Sequence, residues 1–150
     1  VRVDGAFTVE DTVDADFSSL EDVTDPTKDV TVSTAKLRVN YANSIPLGAN
    51  ATLFVLDKNG NKVLTLPGNG KTLSLQPAPK ASDGTASGTK TGKTVLDLSD
   101  EELQKLSQGR RLRLRLNMTQ ANQGGAATLR ASDTIELSLE TKVKASVKVN

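Results

Sequence analysis

From Ile135 to Asn150 the chain alternates without a break: Ile135, Leu137, Leu139, Thr141, Val143, Ala145, Val147 and Val149 are interleaved with Glu136, Ser138, Glu140, Lys142, Lys144, Ser146, Lys148 and Asn150. Successive side chains of a strand point to opposite faces, so a two-residue period predicts a strand with one greasy and one wet side. At roughly 3.3 Å per residue this strand would run for about 50 Å, well beyond the usual five or six residues. The same period recurs from Arg110 to Met118, where Leu112, Leu114 and Leu116 alternate with Arg111, Arg113 and Arg115. It recurs again toward the end of Val30 to Tyr41, where Leu37, Val39 and Tyr41 alternate with Lys36, Arg38 and Asn40.

Between these runs the punctuation is that of antiparallel β-structure. Ala51 to Asp57 and Lys62 to Leu66 flank Lys58-Asn59-Gly60-Asn61, and Asn-Gly tolerates the positive φ of a tight hairpin, so a hairpin is expected there. The Asp57-x-Asn59-x-Asn61 spacing matches the opening of a calcium loop, but Lys62 and Gly68 stand where that loop needs Gly and Glu, which returns the segment to a plain turn. Short strands are predicted at Thr72 to Gln76, Thr94 to Leu98 and Ala126 to Arg130, with a turn at Asn122 to Gly125. Ser99-Asp-Glu-Glu102 is a capping box and opens the one expected helix, with Leu103 and Leu106 on its apolar face and Gly109 at its stop.

The fold these elements imply is all-β: an elongated antiparallel β-sandwich-like domain over residues 30–150 with one short helix. Residues 77–93, without a large apolar side chain, are expected to form a flexible surface loop that adds nothing to the core. The core is assigned to the odd positions Ile135 to Val149 with Leu112, Leu114, Leu116, Leu37, Val39, Leu53, Val55, Val63, Leu73, Leu75, Val95 and Leu96.

Composition narrows the chemistry. The chain has neither Cys nor His, which removes disulfides, thiol nucleophiles, zinc-thiolate sites, the commonest metal ligand and the usual general base. Its carboxylates show no spacing that marks a catalytic pair, so no enzymatic activity, metal or cofactor is expected. No segment has the apolar length of a membrane helix. Asn50-Ala-Thr52 and Asn117-Met-Thr119 match a glycosylation tripeptide that arises often by chance, and no role is assigned to them.

Charge is distributed unevenly although the net charge is only +1. Residues 1–30 hold nine acids against Arg2 and Lys28, a net of −7, and leave about +8 on the rest. Residues 1–29 therefore read as an acidic N-terminal arm, with Val3, Phe7, Val9, Val13 and Phe17 as the side chains it would bury on docking. An arm of opposite charge to the body invites strand addition at a sheet edge, and the reach of 29 residues favours docking onto a second protomer. The basic residues Arg111, Arg113, Arg115, Lys142, Lys144 and Lys148, with Lys36 and Arg38, would form one cationic face if their strands shared a sheet. Such a face suits an anionic glycan better than nucleic acid, because base-stacking aromatics are almost absent.

The stretch from Leu37 onward resembles the C-terminal β-rich domain of bacterial cell-envelope and lipoprotein sequences whose function is unassigned. The likeness rests on LRVNYANSIPLGANATLFVLDKNGNKV (37–63), the spacer around Asp83-Gly84, LSDEELQKL (98–106) and IELSLETKVKASVKVN (135–150). It covers about three-quarters of the chain and implies a location outside the cytoplasm, in the extracellular space or cell envelope. It also implies a non-enzymatic place in a larger surface assembly, with partners among other envelope proteins or further copies of the chain. No functional residue and no lipidation cysteine come with it.

Overall fold

The computed structural model describes residues 2–3, 7–25, 27–68, 71–119 and 127–147, and in it two antiparallel sheets gather their apolar sides into one buried cluster. The strands are β1 (Arg2–Val3), β2 (Phe7–Asp14), β3 (Val30–Asn43), β4 (Gly48–Leu56), β5 (Lys62–Leu66), β6 (Leu73–Leu75), β7 (Lys90–Asp97), β8 (Arg111–Thr119), β9 (Ala127–Thr128) and β10 (Ile135–Val147). One sheet has the order β2-β8-β4-β5, with β6 also on β4; the second has the order β10-β3-β7; β1 and β9 form a separate pair. The chain is thus an all-β, sandwich-like fold.

The expected helix is α2 (Asp100–Ser107), and the capping box that starts it is formed: Ser99 Oγ accepts from the Glu102 amide at 3.1 Å, and Glu102 Oε1 accepts from the Ser99 amide at 3.0 Å. Leu103 and Leu106 are fully buried beneath it. A 3-10 turn (Ser18–Leu20) and the single-turn helix α1 (Glu21–Thr24) precede β3. The Asn-Gly hairpin joins β4 to β5, with Gly60 at φ 82° and Asp57 Oδ1 accepting from the amides of Asn59 and Asn61, both at 2.9 Å. The Asp57, Asn59, Asn61 series is therefore spent on turn geometry.

Leu37, Val39, Leu53, Val55, Leu73, Leu75, Leu96, Leu112 and Leu116 are buried, as their periodicity requires. The last strand departs from expectation. Among the described residues β10 pairs only with β3 and is a sheet edge, so Ile135, Leu137, Leu139 and Val143 are half-buried flanks of the core, and Ala145 is exposed. Val149 lies outside the described residues, as does the side chain of Val147. Val63 and Leu114 are also only half-buried, and Val95 is 44% exposed. Adjacent Val95 and Leu96 cannot share a face; Leu96 stands opposite Leu37, which leaves Val95 opposite Arg38 on the outer side.

Residues 77–93 also differ from the expected loop. Lys90 to Lys93 belong to β7, Lys80 bridges Ala86, and Ala78 and Ala86 are buried. Backbone carbonyls of the segment take the anchoring bonds: the Thr128 amide donates to Gly84 O at 2.9 Å, and the Arg130 side chain donates from Nη2 to Ala86 O at 2.9 Å. Gly92 sits under the Tyr41 ring, where a Cβ would lie 2.5 Å from the phenolic oxygen, and that hydroxyl accepts from the Gln76 amide at 3.2 Å. The break after β3 is organised by Asn43, which is fully buried and fully partnered: Nδ2 donates to Leu47 O and Gln76 O at 3.0 and 2.9 Å, and Oδ1 accepts from the Ile45 amide at 2.8 Å.

The acidic arm is part of this architecture. Phe7 to Asp14 form the outermost strand of the larger sheet, paired along their whole length with Met118 to Arg111 of the same chain. The ladder continues through the Ala15 amide to Arg110 O at 3.1 Å and the Phe17 amide to Gly109 O at 3.0 Å, and Leu20 enters the core. Within the single chain the arm thus docks on its own body, against β8, through the edge pairing that a second protomer would use. Without the arm, β8 would be a sheet edge with arginines beside it, and the acidic strand supplies both the missing backbone partners and the opposite charge.

Candidate functional site: two basic sheet faces

The basic residues singled out from the sequence fall into two groups on two different sheets. Arg111, Arg113 and Arg115 lie on the outer face of β8, in the five-stranded sheet; Lys142 and Lys144 lie on the outer face of β10, in the three-stranded one. A single cationic face is not formed. Lys148 lies outside the described residues.

On β8 two of the three arginines pair with acids of the arm. The register sets Glu10 opposite Arg115 and Asp14 opposite Arg111. Arg115 Nε donates to Glu10 Oε1 in a close ion pair, and Arg111 lies 3.7 Å from Asp14. Thr8 Oγ1 meets Asn117 Oδ1 at 2.9 Å on the same side. Arg113, opposite Thr12, instead faces a ring: its guanidinium is 4.8 Å from the centre of Phe54, with Arg115 at 4.9 Å and the Lys62 ammonium at 5.2 Å. Phe54 faces away from the core yet is only 6% exposed, because these three cations roof it. A cation over an aromatic face is worth about 0.5–1 kcal/mol at exposed sites and more when desolvated. That setting accounts for Arg113 Nε being buried with no hydrogen-bond acceptor.

Arg110, just before β8, was not a sequence candidate, yet it locks the next turn of the arm. It lies 2.6 Å from Glu21 and 3.7 Å from Asp16, and its Nη1 donates to Ser107 O and Gly109 O at 3.0 and 2.8 Å. Hydrogen bonds from Ser18, assisted by the Arg110 charge, hold the Asp16 carboxyl below its ordinary range. Gly109 beside it has no room for a side chain: a Cβ would stand 2.5 Å from Val55 Cγ1 and 2.9 Å from Phe17 Cδ2. The sequence signal for this junction was only the glycine after α2, which reads equally well as a helix stop.

The apolar arm residues have unequal fates. Phe7 and Phe17 are half-buried against the core, whereas Val9 and Val13 are 45% and 50% exposed. Both valines share the core-side face of β2 with their partners Leu116 and Leu112, but they stand at the rim of a five-stranded sheet opposed by three strands. Val3 belongs to β1.

On the three-stranded sheet the charges are arranged differently. Lys142 stands directly opposite Lys36, and Lys144 opposite Thr34. Lys36 has Asp97 at 3.7 Å across the other side, and Arg38 has Glu140 at 3.8 Å, all four groups being substantially exposed. Thr34, Lys36, Arg38, Val95, Glu140, Lys142, Val143 and Lys144 line a concavity of about 690 Å³. Among the described residues no three acidic side chains converge as a metal site, and no helix is long and apolar enough to cross a membrane.

No family model matches this sequence, and no curated protein matches it. Solved structures do resemble its fold. A Parabacteroides distasonis protein named as a "putative secreted protein" superposes with a TM-score of 0.61 at 15% identity, over 91% of this chain and 38% of that one. A structure of infectious bursal disease virus, Gx strain, gives a TM-score of 0.40 at 11% identity over 99% of this chain and 28% of that one. The chain thus spans well under half of the proteins it resembles, and the first likeness carries the fold assignment.

Proposed function

We propose that this chain is a non-enzymatic structural module of an extracellular or cell-envelope assembly, joined to neighbouring copies by exchange of its N-terminal strand. The observation that carries this reading is the β2–β8 register, in which an acidic strand seals an arginine strand along eight residue pairs. The hinge is short: residues 25–29 separate α1 from β3, and residues 7–24 dock through a backbone ladder and ion pairs that β8, Arg110 and α2 of a second copy would offer equally. Opening that linker converts the intramolecular strand into one donated to a neighbour, with no new contact to invent. Repeated head to tail, such donation gives a filament; closed on itself, it gives a small ring. The extracellular setting is supported by the fold shared with the secreted-type Parabacteroides distasonis protein.

The experiment uses the side chains of Thr8 and Asn117, which touch across the strand pair at 2.9 Å. Chains carrying only Thr8→Cys and chains carrying only Asn117→Cys are mixed, incubated at high concentration and oxidised. Exchange predicts a disulfide-linked heterodimer, and electron microscopy of the unmodified protein should show oligomers or filaments. A mixture that stays monomeric, while the doubly substituted chain cross-links within itself, would reject exchange.

An anionic-glycan module is the second reading, and Arg111 and Arg115 no longer favour it, since the chain's own acids occupy them. What favours it is the lysine-bearing face of the three-stranded sheet.

A further inference from the structure

We infer that the outer face of the β10-β3-β7 sheet, around Lys36, Arg38, Lys142 and Lys144, is a binding surface for an acidic polysaccharide. It rests on the second reading above and is independent of strand exchange.

Directly opposed residues of an antiparallel pair hold their Cβ atoms about 4.5–5.5 Å apart, and like charges there are destabilising. Lys142 opposite Lys36 is such a pair, and neither Lys142 nor Lys144 has an ion-pair partner among the described residues. Five cations, Lys36, Arg38, Lys93, Lys142 and Lys144, meet three carboxylates, Asp97, Glu136 and Glu140, across this face. An anion laid between the strands removes the repulsion and replaces it with attraction, so the unfavourable term in the free protein becomes favourable on binding. On β8, by contrast, the chain supplies its own anions.

Shape and chemistry decide the class of ligand. The face is a shallow concavity with Val95, 44% exposed, among polar side chains and lysine stems. That mixture suits the apolar ring faces and peripheral acidic groups of a sugar polymer. None of the residues lining the concavity is aromatic, so nucleic acid would lack a stacking platform. Peptides most often enter sheets through an edge, where backbone groups pair, whereas these cations point from a sheet face.

Binding is measured at low salt with polygalacturonate and dextran sulfate, and with neutral dextran, polyglutamate and single-stranded DNA beside them. Circular dichroism confirms that each variant is folded. The proposal expects both acidic polysaccharides to bind the monomer, neutral dextran not to bind, and affinity to fall steeply with added salt. Lys142→Gln with Lys144→Gln should weaken binding at least tenfold, and Arg111→Gln with Arg115→Gln less than twofold. A dextran sulfate response without polygalacturonate would narrow the ligand to sulfated polymers and still support the surface. No binding by either polysaccharide would overturn it. So would equal losses in the two double variants, or polyglutamate or DNA binding more tightly than the polysaccharides.

Discussion

Strands β8 and β10 share the same two-residue period of aliphatic and polar residues, with arginines on the polar side of β8 and both acids and lysines on that of β10, and the structure uses them in opposite ways. β8 lies between β2 and β4; Leu112 and Leu116 are buried, and its arginines are matched by Glu10, Asp14 and the Phe54 ring. Among the described residues β10 has a partner on one side only; Ile135, Leu137, Leu139 and Val143 are half-buried, and Lys142 faces Lys36 of β3 while Lys144 faces Thr34. Alternation prescribes which side of a strand is apolar. How deeply that side is buried depends on the neighbours the strand acquires.

The largest test of this contrast compares Leu116→Ala with Leu139→Lys. Removing a buried leucine side chain costs about 2–5 kcal/mol, so Leu116→Ala should shift the urea midpoint strongly. Reading Leu139 as core would make a lysine there equally damaging, but from a half-buried edge position the lysine stem can lie along the apolar surface while its ammonium reaches water. A loss nearer ~1 kcal/mol is therefore expected for Leu139→Lys. Equal losses would return β10 to the core.

A smaller effect is expected at the arm. Glu10 and Arg115 are each about 40% exposed, so their pairing is worth only about 0.2–1 kcal/mol. Arg115→Glu should destabilise by about 1 kcal/mol through loss of the pair and new repulsion, and adding Glu10→Arg should restore most of it. If the double variant is no more stable than the single one, the arm does not rely on charge matching. Hydrogen exchange at the amides of β2 gives the local readout: protection should fall in Arg115→Glu and return in the pair.

The smallest effect has the opposite sign. Lys142→Glu places an acid opposite Lys36 and should stabilise the protein by a few tenths of a kcal/mol. A destabilised variant would show that the like-charged pair is already relieved by side-chain splay, which would weaken the electrostatic case for an anionic ligand.

Much of the architecture was legible because it is governed by short-range physics. The Asn59-Gly60 turn, the Ser99/Glu102 capping box, the apolar face of α2 and the inward rows of β3, β4 and β8 follow from φ preference, local hydrogen bonding and side-chain period. The roof over Phe54 was not legible: it needs three cations from β5 and β8 above one ring on β4, and nothing local to Phe54 announces them. The tethering of residues 77–86 was equally silent, since it runs through backbone carbonyls of Gly84 and Ala86 to Thr128 and Arg130.

Taken alone, the sequence determined that the chain forms alternating strands around an aliphatic core, that thiol and imidazole chemistry are excluded, and that an acidic arm precedes a basic body. Which basic strand received the arm was a tertiary decision. So was the separation of the arginine and lysine rows onto different sheets, and the demotion of the last strand from core to rim. The reason is common to all three: side-chain period is a property of one strand, whereas burial, charge compensation and edge position are properties of pairs of strands far apart in the chain.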